Sequence, residues 1–343
     1  MSEAFIYLSA FIVSLFISLG ISTPVSIWIA SRIGAIDHPG DLTIHEYPIP
    51  RLGGLGIFIS WIITISIFMI IFSIYDPRIL IILLGILFII IIGIIDDIRG
   101  IKQTRKFIIY FLLSLTISWL IIDIKSWWIL ASASIFIVGM INAYNFIDGM
   151  DGLASGLAII NYFALFILFI FDGSLLLAFI SISYAGACSG FLPYNWHRAR
   201  IFLGDVGSLS IGLSIAGLSV IFLENGSWDF NRAIAVLFIA AIPIGDLIFT
   251  FVRRIICRKT INPRRLFLGD RSHYYDQMYS ISTMNTKKIV IISYIVCVVF
   301  AMLGITLFFL EEVLSACLGI AGIFLIIMIG RCLKIKIPKA ERV

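Results

Sequence analysis

Apolar runs of about twenty residues recur along the chain, and little sequence is left between them. Phe5 to Ala30, Leu52 to Tyr75, Ile79 to Ile95, Phe107 to Ile122, Trp128 to Ile141, Leu153 to Phe171, Leu175 to Leu192, Val206 to Leu223, Ala233 to Val252, Ile289 to Leu310 and Val313 to Gly330 all read this way. A segment of that length matches the hydrocarbon thickness of a bilayer. Lipid offers no hydrogen bonds, so such a segment must satisfy its own backbone, which a helix does and an open strand does not. Outer-membrane strands would alternate in polarity over about ten residues, and these runs do not alternate. The sequence therefore predicts an all-α polytopic membrane protein of about 10–11 transmembrane helices. It reads as a single integral-membrane unit over 1–343, with 253–288 as one long inner loop. A composition of 61% hydrophobic and 13% charged residues leaves no room for a separate water-soluble domain.

Lysine and arginine accumulate on the cytoplasmic side during insertion and so set the orientation. With the N-terminus outside, only Arg78, Lys125 and Arg232 of the 25 basic residues face out. The net charge of +5 is then topology, carried at membrane exits, and supplies no nucleic-acid surface. All four histidines, His38, His45, His197 and His273, fall on the inner side. The five cysteines form no CxxC pair, which argues against a disulfide framework and a zinc site. The first run lacks a basic leader and a small-residue cleavage site, so it reads as a retained helix.

Polar chemistry collects on that inner side in five stretches: "DHPGDLTIHEYPIPRLGG", "GIIDDIRGIKQTRK", "NAYNFIDGMDGLASG", "NWHRARIFLGDVGS" and "RRLFLGDRSHYYDQM". Carboxylates and amides at membrane depth are costly, and their default reading is functional; interhelical bonding is the plain alternative. Asn142, Asn145, Asp148 and Asp151 recur every three residues, close enough to a helical repeat for neighbours to share a face. Asp96 and Asp97 point about 100° apart on a helix, so they play different parts, with Lys102, Arg105 and Lys106 available as partners. Asp205, between Gly204 and Gly207, stands at a helix entrance that either caps the helix or receives phosphate. Carboxylate and amide oxygens suit a hard cation such as Mg2+, and basic residues with glycine-flanked helix ends suit phosphate.

In this order the five stretches resemble the polyprenyl-phosphate N-acetylhexosamine-1-phosphate transferases, over most of the chain from Asp37 to about Met278. The family's NxxNxxDGxDGL signature is unbroken as Asn142, Asn145, Asp148, Gly149, Asp151, Gly152 and Leu153. The resemblance implies transfer of a sugar 1-phosphate from a UDP-sugar to polyprenyl phosphate, releasing UMP, in a bacterial inner membrane with the active site cytoplasmic. It implies Mg2+, replaceable by Mn2+, with Asn145 and Asp205 as ligands. It implies catalytic roles for Asp96, Asp97, Asp148, Asp151 and His273, and substrate binding by His45, Lys106, Asn195 and Arg271. A homodimer is compatible with it. Two departures stand out. Leu42 and Thr43 replace a basic pair in the first stretch, and Tyr275 and Asp276 stand where two histidines are usual, an exchange expected to alter sugar choice. Asp246, ahead of Arg253 and Arg254, is expected either at the site or paired with those arginines.

The rival class is a transporter with intramembrane carboxylates. Such carboxylates belong near the midplane of repeated halves, whereas the acids here sit at inner helix ends. The Asp-Gly-x-x-Ala-Arg motif of the CDP-alcohol phosphotransferases is absent.

Overall fold

The computed structural model describes residues 3–39, 47–72, 75–123, 126–259, 273–281, 284–311 and 314. Helices α1 (Glu3–Ile17) and α2 (Thr23–Ile33) form one long apolar element, joined by a π-helical turn at Ser18–Ser22. Two residues of β1 (Ile36–Asp37) pair antiparallel with β2 (Ile49–Pro50). Then follow α3 (Gly53–Phe72), α4 (Pro77–Arg99), α5 (Gln103–Ile121), α6 (Trp127–Ile147), α7 (Leu153–Asp172), α8 (Leu175–Asn195) and α9 (Gly204–Asn225). The remainder is α10 (Phe230–Ile239), α11 (Ala241–Arg258), α12 (Tyr274–Ile281) and α13 (Thr286–Phe308).

Among the described residues nine helical elements are long and apolar enough to cross a bilayer, and α10 with α11 forms a tenth that is bent by 75°. The architecture is the all-α polytopic one expected from the apolar runs. Most runs continue past their apolar limits. The run expected to end at Ile95 is helical to Arg99, and the one expected to end at Ile141 is helical to Ile147. Helix continuation is favoured there because it keeps each backbone pair satisfied while the end turns carry the polar side chains. The run from Ala233 to Val252 breaks instead, and α11 restarts with Pro243 in its first turn, where a missing N–H costs nothing. The inner loop expected over 253–288 is partly helical: α11 runs to Arg258, α12 lies within the interval, and α13 begins at Thr286. The expected last span, Val313 to Gly330, lies outside the described residues.

The core is organised about α9. Every residue from Gly204 to Leu223 is buried, so this helix has no lipid-facing side. A helix surrounded by protein can carry polar residues. Ser208, Ser210, Ser214 and Ser219 do so by donating to carbonyls three or four residues back. Helices α4 and α6 make its main walls, with α3 beside them. Close approach depends on two glycines: a Cβ on Gly54 of α3 would overlap the Gly207 backbone, and one on Gly93 of α4 would lie 2.9 Å from Val206 N. Backbone bonds reinforce the junction, with Phe202 N donating to Pro50 O (2.8 Å), Gly53 N to Phe202 O (2.9 Å) and Gly54 N to Leu203 O (2.9 Å). The ends of α3 to α9 on one side of the bundle meet around the first turn of α9.

Candidate active site

Asp205 is the second residue of α9, and the residue at the cap position is Leu203, which makes no side-chain cap bond. The alternative of Asp205 as a helix cap is therefore not what the fold uses. Its carboxylate turns into the junction, where Oδ2 accepts from Lys106 Nζ at 2.8 Å and Oδ1 from Asn145 Nδ2 at 3.0 Å. Negative charge in the first turn of a helix is also favoured by the peptide dipoles. Lys106 Nζ donates in addition to Asp96 Oδ2 at 2.6 Å, so one ammonium bridges two carboxylates from different helices. Asp96 Oδ1 accepts from Ile101 N, which fastens the short α4–α5 turn.

Asp97 is built differently. Its side chain is 1% exposed and neither oxygen has a hydrogen-bond partner; the nearest cation is Arg51, with Nε 3.6 Å from Oδ1. The two neighbours thus make unequal contacts: Asp96 is bonded to a lysine, and Asp97 stands beside Arg51 without a side-chain hydrogen bond. Arg51 also reaches Asp37 at 3.4 Å. Burial pulls its guanidinium pKa down, but the carboxylates of Asp97, Asp37, Asp205 and Asp148 outweigh that and raise it, so it stays charged.

Asp148 follows the last residue of α6 and is half-buried. Burial first, and the Asp205 charge second, push its carboxyl well above the usual carboxylate range despite Arg51. Asp151 lies in the next turn, where Oδ2 accepts from Ala199 N at 3.1 Å and stands 3.7 Å from His197 Nδ1. Asn195 is bonded through both ends of its amide: Oδ1 accepts from Gly152 N (3.1 Å) and Ser155 Oγ (2.8 Å), and Nδ2 donates to Ile201 O (3.1 Å). It ties the turn before α7 to the segment before α9, a bracing position rather than one facing an open pocket.

His273 belongs to a second cluster. Nδ1 lies 2.8 Å from Asp246 Oδ2 and 3.2 Å from Thr250 Oγ1, and Tyr274 N donates to Asp246 Oδ1 at 2.9 Å. An ionised carboxylate only accepts, so Nδ1 carries a proton and the ring is fixed in one tautomer. The imidazole stacks on Tyr275 at 5.2 Å and meets the edge of Phe146 at 5.3 Å. Tyr275, expected to present its hydroxyl to a sugar, is buried and donates to Phe146 O at 3.0 Å. It braces the end of α6 two residues before Asp148. His45 and Arg271 lie outside the described residues.

Asp96, Asp97, Lys106, Asn145, Asp148 and Asp205 thus come together, and Asp151 with Asn195 borders them. The sequence reading missed Arg51, which it counted only as a topological charge, and Tyr110, whose buried hydroxyl has no partner and feels the charges of Asp205, Asp96 and Asp97. A signal existed for Tyr110: it stands four residues after Lys106, on the same helix face.

Among the described residues no three His, Cys, Asp or Glu side chains form a ready-made metal cage. That donor set still fits Mg2+, which commonly takes one or two carboxylates and completes its octahedron with water and substrate phosphates. Asp205, the Asn145 amide and the uncommitted oxygens of Asp97 are hard donors of the right kind.

Residues 79–223, from α4 to α9, match the family model described as glycosyl transferase family 4. The chain is 33% identical over 312 residues to the probable undecaprenyl-phosphate N-acetylglucosaminyl 1-phosphate transferase of Bacillus subtilis, covering 87% of this chain and 84% of that one. It is 31% identical to the decaprenyl-phosphate N-acetylglucosaminephosphotransferase of Mycobacterium tuberculosis, over 77% of this chain and 74% of that one. It is 29% identical to the phospho-N-acetylmuramoyl-pentapeptide-transferase of Caldicellulosiruptor bescii, over 75% and 82% respectively. Similarity on this scale, over most of both chains, places this chain in glycosyl transferase family 4.

Proposed function

We propose that the protein transfers a sugar 1-phosphate of the N-acetylhexosamine type from a UDP-sugar to polyprenyl phosphate, undecaprenyl phosphate in a bacterial inner membrane. UMP leaves, and the polyprenyl-diphosphate-sugar that remains initiates an envelope glycan. The observation that carries the reading is the convergence of Arg51, Asp96, Asp97, Lys106, Asn145, Asp148 and Asp205 on the first turn of a fully buried helix at one end of the bundle. Relatives named for transfer to undecaprenyl and decaprenyl phosphate support it. Arg99, Arg105, Arg198 and Arg258 lie at or beside the helix ends of that face, which supports its being cytoplasmic.

In this reaction an oxygen of the lipid phosphate bonds to the β-phosphorus of the UDP-sugar, and the bond from that phosphorus to the oxygen bridging to the α-phosphorus breaks. Asp205 and Asn145 would hold Mg2+, which supplies neutralisation of the diphosphate and of the departing UMP. Lys106 exchanges a carboxylate for a phosphate oxygen, a charge-assisted contact of the same kind. Arg51 takes the diphosphate beside Asp97, and Asp97 accepts the proton that the acceptor phosphate carries or orients its attacking oxygen. Asp148 and Asp151, on the turn that Asn195 and Tyr275 brace, face the nucleotide. A carboxyl at Asp148 held above its usual range donates as well as accepts.

Purified protein in bilayer discs should release UMP from a UDP-N-acetylhexosamine only when polyprenyl phosphate and Mg2+ are both present, and the extracted lipid should gain the mass of the sugar phosphate. Solute flux across sealed vesicles without UMP release would instead sustain the transporter reading. The junction argues against that reading, because its acids occupy end turns on one face.

A further inference from the structure

Tyr110 is a buried polar group at the junction that the mechanism above leaves unused. Its side chain is 2% exposed, and its hydroxyl is sealed and has no hydrogen-bond partner among the described residues. A buried hydroxyl in that state carries an uncompensated desolvation penalty, so its place needs a reason. Three carboxylates are near enough for their charge to be felt, Asp205, Asp96 and Asp97, yet the hydroxyl donates to none of them.

Position identifies the group it serves. Tyr110 stands four residues after Lys106 on α5, hence on the same face and one turn, about 5.4 Å, deeper in the membrane. Long side chains on a helix lean back toward its N-terminus, so the phenol lies over the turn that holds Lys106. Helix α5 packs chiefly on α6 while α4 packs chiefly on α9, and both carry exposed apolar side chains, Ile95 and Ile98 on α4 and Ile108 and Leu112 on α5. A nucleotide arriving from water meets the outer rim of this junction. A phosphate anchored to a lipid chain arrives from the membrane, where Tyr110 lies.

We infer that the Tyr110 hydroxyl donates a hydrogen bond to the phosphate of the polyprenyl acceptor, beside Lys106, and so sets acceptor affinity. The inference rests on the transferase reading. As Lys106 turns from Asp96 and Asp205 to the phosphate, the space it leaves opens the phenol to the same ligand, and an unsatisfied donor becomes a satisfied one.

The test replaces Tyr110 with phenylalanine in the full chain, in bilayer discs. Loss of a hydrogen bond to a charged group should raise KM for undecaprenyl phosphate about ten- to a hundredfold, with KM for the UDP-sugar within about twofold of wild type. A second readout needs no turnover: the rise in melting temperature on adding undecaprenyl phosphate alone should shrink in Tyr110→Phe, while the melting temperature without lipid stays equal or rises. A purely structural tyrosine would show the reverse, a lower melting temperature without lipid and an unchanged lipid-induced rise. Unchanged acceptor KM, or equal losses for donor and acceptor, overturns the inference. If wild type forms no lipid product, the transferase reading falls by itself, and the melting shift with lipid still decides the role of Tyr110.

Discussion

The two ends of the helix bundle spend their polar residues in opposite ways. At the end away from the site, Asp76 caps α4 through Arg78 N and pairs with the Arg78 guanidinium two residues away, and Arg78 also donates to Asn225 at 2.8 Å. Glu224 accepts from Asp123 N and from Trp228 Nε1, and Arg232 pairs with Asp172 and donates to Phe222 O. Most of these contacts finish a helix, and each of these carboxylates has its partner. Distant parts of the chain meet at both ends, but at the site end the Asp97 carboxylate and the Tyr110 hydroxyl, both buried, make no side-chain hydrogen bond among the described residues. The carboxylates named at the far end are all partnered, whereas the site end leaves carboxylate oxygens able to take a ligand.

The sharpest way to break this comparison is a matched pair of charge removals. Asp205→Asn keeps its shape and should lower UMP release by about 10²–10³-fold, whereas Asp172→Asn should leave it near wild type. Turnover of Asp205→Asn close to wild type at limiting Mg2+ would erase the distinction. Asp246→Asn comes next: releasing the His273 ring from its fixed tautomer should cost up to about 10²-fold in kcat. An unchanged kcat would assign Asp246 to packing alone.

Stability gives a third contrast. Lys106→Met leaves two carboxylates without their cation and should destabilise the fold by about 3–5 kcal/mol. Arg78→Met removes a partly exposed pair and should cost at most about 1 kcal/mol. Thermal unfolding in detergent measures both, and equal losses would mean that burial does not set the difference.

The smallest effect concerns pH. Burial raises the Asp76 carboxyl pKa, but its bonds to Arg78 lower it further than burial raises it. A folded-state pKa below the unfolded value gives stability that is complete above the unfolded value of about 3.9 and is lost as pH falls through the folded one. The stability of wild type should therefore fall below about pH 4, and Asp76→Asn should remove about 1 kcal/mol of that loss. An identical slope in the variant would show that Asp76 does not carry it.

Much of this was legible in the sequence because lipid enforces a simple rule on length and polarity. The end turns that carry Asp96, Asp148 and Asp205 were located by motif spacing alone, since each sits where an apolar run stops. Arg51 was not legible, because it meets Asp37 and Asp97 only after β2 is laced to Phe202 and α3 closes on α9 at Gly54. The same holds for Asn195 and Tyr275, whose polar atoms are used up by bonds to Gly152, Ile201 and Phe146 from elsewhere in the chain. Spacing announces a polar group; it does not say which way that group is spent. The bend between α10 and α11 did leave a sign in Pro243, a residue suited to the start of a helix rather than the middle of one.

One feature of the fold sets how the protein responds to the membrane around it. Because α9 has no lipid-facing residue, a thicker or thinner bilayer exerts no force on it directly; the mismatch is absorbed by tilt of the outer helices, at a cost of fractions of a kcal/mol per ångström. Asp205 therefore stands on an element shielded from lipid composition, while Lys106, Tyr110 and the Asp96–Asp97 pair ride on α4 and α5, whose flanks are wet by lipid. Changing acyl-chain length should shift the acceptor side of the site relative to a fixed metal side, so that the lipids of the host membrane tune the fit between the two substrates.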